Sequence, residues 1–355
     1  MKALVYYGNK DVRVEDVDQP QVKDELVKLK IDYCGICATD MEEYYYGPKY
    51  ISHDTPHPIS GKKTPLIVGH EATGTVVEVG KNVTDIIVGT RVVFNGILSC
   101  EECYFCDRGL TNQCPQAVII AFGDDGAMAE YAVWKGSEVI PLPDNVTSIE
   151  AALAEPAAVA HHAVAKSNFS EGDSIAILGC GTVGLLALQI AKAKGAKVYA
   201  IDKRLESLKM ARKLGANAVI DANLDMEKRK GQLMELTGGI GPDVVIDAAG
   251  GRDTPVEAVD LVRTGGTVVL VAVYTAKPEF DFNEIMFREV NVVGSLGYQR
   301  TDVESVVSLI SQKKIKTDML VSQIIGIDQV VDVGYNKMLS GNKDFFRILV
   351  SPSKS

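Results

Sequence analysis

The run Asp173-Ser174-Ile175-Ala176-Ile177-Leu178-Gly179-Cys180-Gly181-Thr182-Val183-Gly184 decides the fold. Its first six residues read as a short, mostly apolar strand, and Leu185 to Lys194 reads as a helix closed by Gly195. The three glycines between them have separate tasks. Gly179 permits a tight turn, Gly181 lets backbone approach a pyrophosphate, and Gly184 lets helix and strand pack closely. The helix N-terminus, with Thr182 and Val183 at its mouth, offers that phosphate unpaired N–H groups and a partial positive charge. A second strand, Lys197 to Asp202, ends on an acidic residue where one is needed to grip the adenosine ribose. Alone, a glycine pattern of this kind is a weak signal. Flanked by strand, helix and an acid-ended second strand, it marks a nucleotide site. Asp202 repels a 2′-phosphate and so favours NAD over NADP. Lys203 and Arg204 read as solvated loop charges, although they are able to attract that phosphate.

Outward from this turn, strands and helices alternate from about residue 154 to 295. Apolar runs at Ala218 to Ile220, Val244 to Ile246 and Thr267 to Val273 are separated by stretches such as the helical Leu205 to Leu214. Val290 to Gly294 is the expected last strand. Such alternation predicts a doubly wound parallel sheet covered on both faces, an α/β architecture. Residues 1–153 have a different texture, with short strands and many turns. Met1 to Tyr7 and Asp11 to Val17 read as a hairpin around Gly8-Asn9. The aromatic, Pro/Gly-broken run from Tyr44 to Lys63 reads as a loop beside a substrate pocket, with His53 and His57 as exposed loop residues. Residues 296–355, with a helical Val303 to Lys313, are expected to return to the first domain. That would make the first domain discontinuous and place the active-site cleft between the domains.

Four of the seven cysteines, Cys100, Cys103, Cys106 and Cys114, fall inside fifteen positions at spacing C-x2-C-x2-C-x7-C. This supplies four converging thiolates for one tetrahedral Zn²⁺, in a lobe at about residues 96–116. A closed thiolate set leaves no open position, so this zinc is expected to be a structural staple. A catalytic zinc wants mixed ligands and one position left over. Two segments offer them: Cys34-Gly35-Ile36-Cys37-Ala38-Thr39-Asp40 and Gly69-His70-Glu71-Ala72-Thr73-Gly74. Cys37, His70 and Glu71 meet that need if the fold joins them. Cys34 and Cys180 read as small packing residues.

The order of these features, a CGxC segment, GHE, a four-cysteine lobe and a glycine-rich dinucleotide turn, resembles the zinc-containing medium-chain alcohol and polyol dehydrogenases nearly end to end. The resemblance implies a GroES-like β-rich catalytic domain and a Rossmann cofactor domain. It implies Cys37 and His70 as catalytic zinc ligands and, in the polyol branch, Glu71 as the third. Glu155, in the Glu155-Pro156 dipeptide, is then a fourth ligand or the holder of a zinc-bound water. Thr39 is the hydroxyl that starts proton removal. Val271, Val273, Ser295 and Arg347 are further cofactor contacts, Arg347 reaching the pyrophosphate. Many relatives place a proton-relay histidine where this chain has Glu42. Glu43-Tyr44, Gly47-Pro48, His57-Pro58, Phe287-Arg288-Glu289-Val290, Gly294-Ser295-Leu296-Gly297-Tyr298 and the run Phe346 to Val350 most resemble 2,3-butanediol dehydrogenases. The implied reaction is hydride transfer between NAD and a secondary alcohol or small vicinal diol, the 2,3-butanediol/acetoin pair being the model. Sorbitol-like polyols, threonine and sugars use the same frame. The resemblance also implies a homodimer or homotetramer pairing through the cofactor domain. A non-catalytic, zinc-stapled nucleotide sensor predicts an incomplete catalytic set, whereas this one is complete.

Composition excludes other classes. At 355 residues the chain can bury two cores, and its net charge of −10 argues against a nucleic-acid surface. The four-cysteine lobe itself carries Glu101, Glu102 and Asp107, which speaks against a nucleic-acid zinc module. No apolar span of about 18 residues suggests a membrane helix, and no signal peptide is apparent. Cysteine usage points to a reducing compartment, the cytoplasm.

Overall fold

The computed structural model describes residues 1–274, 276–339 and 345–354. They form two compact units: Met1–Glu155 with Tyr298–Ser311 and Thr317–Ser355, and Pro156–Gly297 with Gln312–Lys316.

In the first unit, the strands Val139–Pro141, Arg91–Phe94, Glu71–Val79, Leu26–Gly35, Arg347–Ser351 and Val321–Gly326 follow one another across a mainly antiparallel sheet; Tyr131–Lys135 also pairs with Leu26–Gly35. Alternation explains how Leu26–Gly35 sits there: Val27, Leu29 and Ile31 are buried and Lys30 is exposed. Lys28 breaks the pattern, and its ammonium meets Glu78 Oε2 at 2.8 Å. A three-stranded sheet of Asp11–Asp16, Lys2–Gly8 and Leu66–Ile67 contains the hairpin expected around Gly8-Asn9. One departure from the sequence reading lies at residues 38–46. The helix Ala38–Tyr46 takes in the first three tyrosine positions of the run read as loop. Its start is fastened by Asp40, whose carboxylate accepts the Cys37 N–H at 2.9 Å.

The second unit holds a six-stranded, all-parallel sheet in the order Ala218–Asp221, Lys197–Asp202, Ser174–Leu178, Val244–Asp247, Thr267–Leu270, Asn291–Gly294. Chain order reverses between Ser174–Leu178 and Val244–Asp247, which is where such sheets open a ligand crevice. The strand expected to run to Val273 stops at Leu270. Beyond it, the Val271 and Ala272 N–H groups both turn to the Asp247 carbonyl, at 3.1 and 3.2 Å. Among the described residues, no helix is long and apolar enough to cross a membrane.

The glycine turn divides its tasks as its sequence suggests. Gly179 has φ +85°, in the left-handed region open to glycine. A Cβ at Gly184 would run into the Gly179 carbonyl oxygen, while a Cβ at Gly181 would meet nothing within 4 Å. Gly184→Ala should therefore lower stability by about 1–3 kcal/mol through overpacking, read as a lower urea midpoint. Gly181→Ala should leave the midpoint in place and weaken dinucleotide binding. Equal midpoints for both variants and the parent chain would refute the packing role given to Gly184.

Candidate active site

Three strands place the candidate metal ligands. At the end of Leu26–Gly35, Gly35 lies opposite Glu71 on one side and Leu349 on the other. A Cβ at Gly35 would strike the Glu71 carboxylate, so only glycine leaves that carboxylate its place. The Ile36 N–H then donates to the Ile348 carbonyl at 3.0 Å. The next residue, Cys37, sits at the N-terminus of the helix Ala38–Tyr46. Gly69 turns the chain at φ +91° so that His70 and Glu71 face the same spot. A Cβ at Gly69 would come 2.7 Å from Cys34 Sγ and 2.8 Å from Met128 Cβ.

Donor atoms of Cys37, His70 and Glu71 lie within 4.8 Å of one another. His70 is 6% exposed and Glu71 0%. Both Glu71 carboxylate oxygens and His70 Nδ1 are buried without a hydrogen-bond partner. Arg347 Nη1 stands 2.9 Å from Glu71 Oε1 as an ion pair, but its hydrogen bond goes to the Ile36 carbonyl at 2.6 Å. Buried carboxylates of this kind are rare unless something fills their lone pairs. Burial alone would lower the pKa of the His70 imidazole, yet Asp40 and Cys37 hold it well above its ordinary value. The pocket therefore favours a positive charge between these side chains. A thiolate, an imidazole and a carboxylate around a cation-favouring point fit Zn²⁺ with a position left open.

Around this point, Thr39 Oγ1 is buried with no partner. Glu155 stands beside the site: its carboxyl is not among the converging donors. Burial pushes it up to about 7, with Glu71 adding to the rise and His70 and Arg347 opposing it. Glu42, at the expected relay position, is partly exposed and accepts from Lys49 Nζ at 3.2 Å.

Four neighbours were not assigned roles from sequence. Asp40 Oδ1 lies 3.5 Å from His70 Nδ1. The Phe122 ring centre is 5.1 Å from that of His70, and Tyr50 follows at 6.0 Å from Phe122. Tyr298 is buried against Gly96, where a Cβ would come 2.9 Å from its hydroxyl, and it faces Glu155. Asp40 is signalled locally: it closes CGICATD three residues after Cys37, the place of a helix-capping acid. Phe122 and Tyr298 arrive through tertiary contacts that no local pattern announces.

Arg347, expected on the cofactor pyrophosphate, is buried beside the candidate metal ligands, where Nη1 meets the Ile36 carbonyl and Glu71 Oε1. One expectation needs correction. Arg204 was expected to be a solvated charge. It leans back over the glycine turn, with Nη2 donating to the Cys180 carbonyl at 3.3 Å and Nε 3.5 Å from Asp202 Oδ1. Lys203 is exposed.

In the second unit, Asp202 is buried and accepts the Cys180 N–H at 2.6 Å and the Arg204 N–H at 2.7 Å. This brings the acidic residue onto the turn from Gly179 to Gly184, with Thr182 and Val183 opening the helix Thr182–Ala193. The Ser295 N–H donates to the Leu270 carbonyl at 2.9 Å, and its hydroxyl is buried without a partner. Val273 is 56% exposed.

The four cysteines of the lobe converge as well. Sγ separations are 3.5 Å for Cys103–Cys106, 3.5 Å for Cys100–Cys114 and 3.9 Å for Cys100–Cys106. A tetrahedron with Zn–S bonds of about 2.3 Å has edges of about 3.8 Å. The Ser99 hydroxyl, more than any other group, brings the Cys106 thiol down to about 6, with Cys103 helping against burial. These residues fit a closed thiolate site.

Comparison with known proteins agrees with this arrangement. Residues 23–144 match the alcohol dehydrogenase GroES-like domain family, and residues 182–312 match the zinc-binding dehydrogenase family. The (R,R)-butanediol dehydrogenase of Bacillus subtilis (strain 168) is 34% identical over 355 residues, covering 99% of this chain and 100% of its own. The sorbitol dehydrogenase of Halalkalibacterium halodurans is 32% identical over 360 residues, with 99% of each covered. The X-ray structure of 2R,3R-butanediol dehydrogenase from Bacillus subtilis has a TM-score of 0.92 at 32% identity, again with 99% of each chain covered.

Metal analysis of the purified chain should find about two zinc ions per chain, one for each donor cluster. Glu71→Ala should lower the count toward one, and it should also lower the melting temperature, because buried Arg347 loses its ion-pair partner. Cys103→Ser should remove the other zinc and lower the melting temperature. A parent chain holding a single zinc, unaffected by Glu71→Ala, would reject the mixed donor set as a metal site.

Proposed function

The chain belongs to the zinc-containing medium-chain alcohol and polyol dehydrogenases, and on that premise we propose that it moves hydride between NAD and a secondary carbon of a small vicinal diol, with 2,3-butanediol and acetoin as the model pair. One observation supports the reading above all: the donor atoms of Cys37, His70 and Glu71 converge, and Thr39, two residues along the helix from Cys37, has a buried, unpartnered hydroxyl.

Zinc, when bound, lowers the pKa of a substrate hydroxyl, and NAD accepts the hydride. The chain's residues do the rest. Cys37, His70 and Glu71 would hold the metal, and Asp40 and Arg347 keep His70 and Glu71 in charge balance. Thr39 takes the hydrogen bond of the substrate hydroxyl and starts its proton on the way out. Glu155, half-buried and raised, holds a water or that proton close by. Phe122 and Tyr50 extend an apolar wall from His70. Methyl groups of a short diol match such a wall better than the hydroxyl row of a long polyol, which favours the butanediol-like reading over the sorbitol-like one. The named relatives include both kinds of enzyme. Threonine and sugars remain as other substrates of the same frame.

Asp202 supports NAD over NADP, since a 2′-phosphate would meet its carboxylate. All seven cysteines are free thiols, which suits the cytoplasm. We infer further that two copies pair along Asn291–Gly294. That strand ends the parallel sheet, Val292 on it is exposed, and Met286, Phe287 and Leu296 add exposed apolar surface close by in the chain.

Assays of NAD and NADP reduction with vicinal diols, secondary alcohols, polyols and threonine should rank 2,3-butanediol first, with NAD preferred by tenfold or more as an order-of-magnitude expectation. Thr39→Val should keep its zinc and lose about a hundredfold or more in kcat. Turnover of sorbitol above all diols would replace the substrate assignment. Light scattering should find a dimer or tetramer that Val292→Lys dissociates; a monomeric parent chain would remove the pairing.

A further inference from the structure

Asp247 is 0% exposed at the carboxyl end of Val244–Asp247, beside the reversal in strand order. Dinucleotides bind at that crevice, and a carboxylate buried there needs every oxygen satisfied. Neutral donors on two loops satisfy it. Oδ1 accepts the Ala249 N–H at 2.9 Å. Oδ2 accepts the Thr254 hydroxyl at 2.6 Å and the Tyr274 hydroxyl at 2.8 Å. The Asp247 carbonyl takes the Val271 and Ala272 N–H groups. One residue thus ties the loop after its own strand to the loop after the neighbouring strand.

The two loops also touch. A Cβ at Gly250 would come 2.9 Å from the Val273 carbonyl oxygen, and one at Gly179 would come 2.6 Å from Ala249 Cα. The glycine turn, residues 249–250 and residues 271–274 therefore interlock over Asp247. This clamp holds backbone and the Thr254 and Tyr274 hydroxyls, and takes no hold of the Val273 side chain. Val273 keeps an apolar side chain more than half exposed on a backbone that is fastened from below. In sheets of this plan each half takes one mononucleotide; Asp202 ends a strand of the first half, and Val244–Asp247 and Thr267–Leu270 belong to the second.

We propose that Asp247, with the Tyr274 hydroxyl as its latch, is the positioning residue for the nicotinamide half of the dinucleotide. The inference rests on the dehydrogenase reading above. The adenosine half depends on Gly181 and Asp202, which Asp247 does not touch through any of these bonds. Loosening the clamp should therefore weaken one half of the cofactor selectively.

The test compares NADH with ADP-ribose, which lacks the nicotinamide, by calorimetric titration of the full chain carrying Tyr274→Phe or Asp247→Asn. The Kd for NADH should rise about tenfold, while that for ADP-ribose stays within about twofold. The kcat at saturating NAD should fall in Asp247→Asn. Tyr274→Phe removes one hydroxyl from a part-buried side chain and should fold like the parent, so it carries the test if Asp247→Asn does not. Parallel weakening of both ligands would show a general stabilising role and overturn the proposal, as would no change in either. A parent chain that binds neither ligand would sink the dehydrogenase reading itself.

Discussion

The pairing at Gly35 is the constraint from which the candidate metal site follows. Glu71 faces Gly35 from one strand and Leu349 from another. The missing side chain leaves room for the Glu71 carboxylate. Because register in a sheet is quantised, a slip of one residue would turn Glu71 to the opposite face and carry Arg347 away from it. Cys37 is then two residues past the pairing point, and the Asp40 cap fixes where its helix begins. Donors that lie far apart in the chain thus converge through backbone hydrogen bonds.

Electrostatics makes that convergence selective. Asp40 and Cys37 flank His70 in a buried place, and Arg347 pairs with Glu71 beside it. Desolvation penalises each buried ion, so charges gathered there need partners. Asp40 and Cys37 hold the His70 pKa well above its ordinary value against that burial, the direction expected of a place that suits a cation. The four-cysteine lobe solves a different problem. Its ligands come from a few turns of local chain, and Cys106 is eased toward thiolate by Ser99. Its candidate donor set, among the described residues, is four thiols with no carboxylate or imidazole.

How much of this was legible in sequence depends on how local each feature is. The lobe and the glycine turn are short-range patterns whose spacing contains their geometry, so both could be read directly. The pairing of strands with helices in residues 154–295 was readable for the same reason, as a change of period. Cys37, His70 and Glu71 were named through family resemblance, since nothing in their spacing shows that a sheet register joins them. Phe122, Tyr298 and the Arg347–Glu71 ion pair were hidden, because each is set by cross-strand pairing or loop packing. The strand thought to reach Val273 was misread for a related reason. Its apolar residues continue past Leu270, but the Asp247 carbonyl captures the next two N–H groups and ends the ladder.

That early ending bears on how the second unit works. A strand running on to Val273 would keep pairing with its neighbours and bury alternate side chains. Turned onto Asp247, the same residues become a loop whose backbone is held as firmly as a strand's while Val273 stays out of the core. Rigid backbone with an exposed apolar side chain is what a preorganised binding surface requires, because little further order has to be imposed when the ligand arrives. The buried carboxylate is therefore better understood as the means of building that surface than as a stabiliser of the sheet. An apolar residue in place of Asp247 would bury as much area, yet it would leave Thr254, Tyr274 and the Ala249 amide without their acceptor.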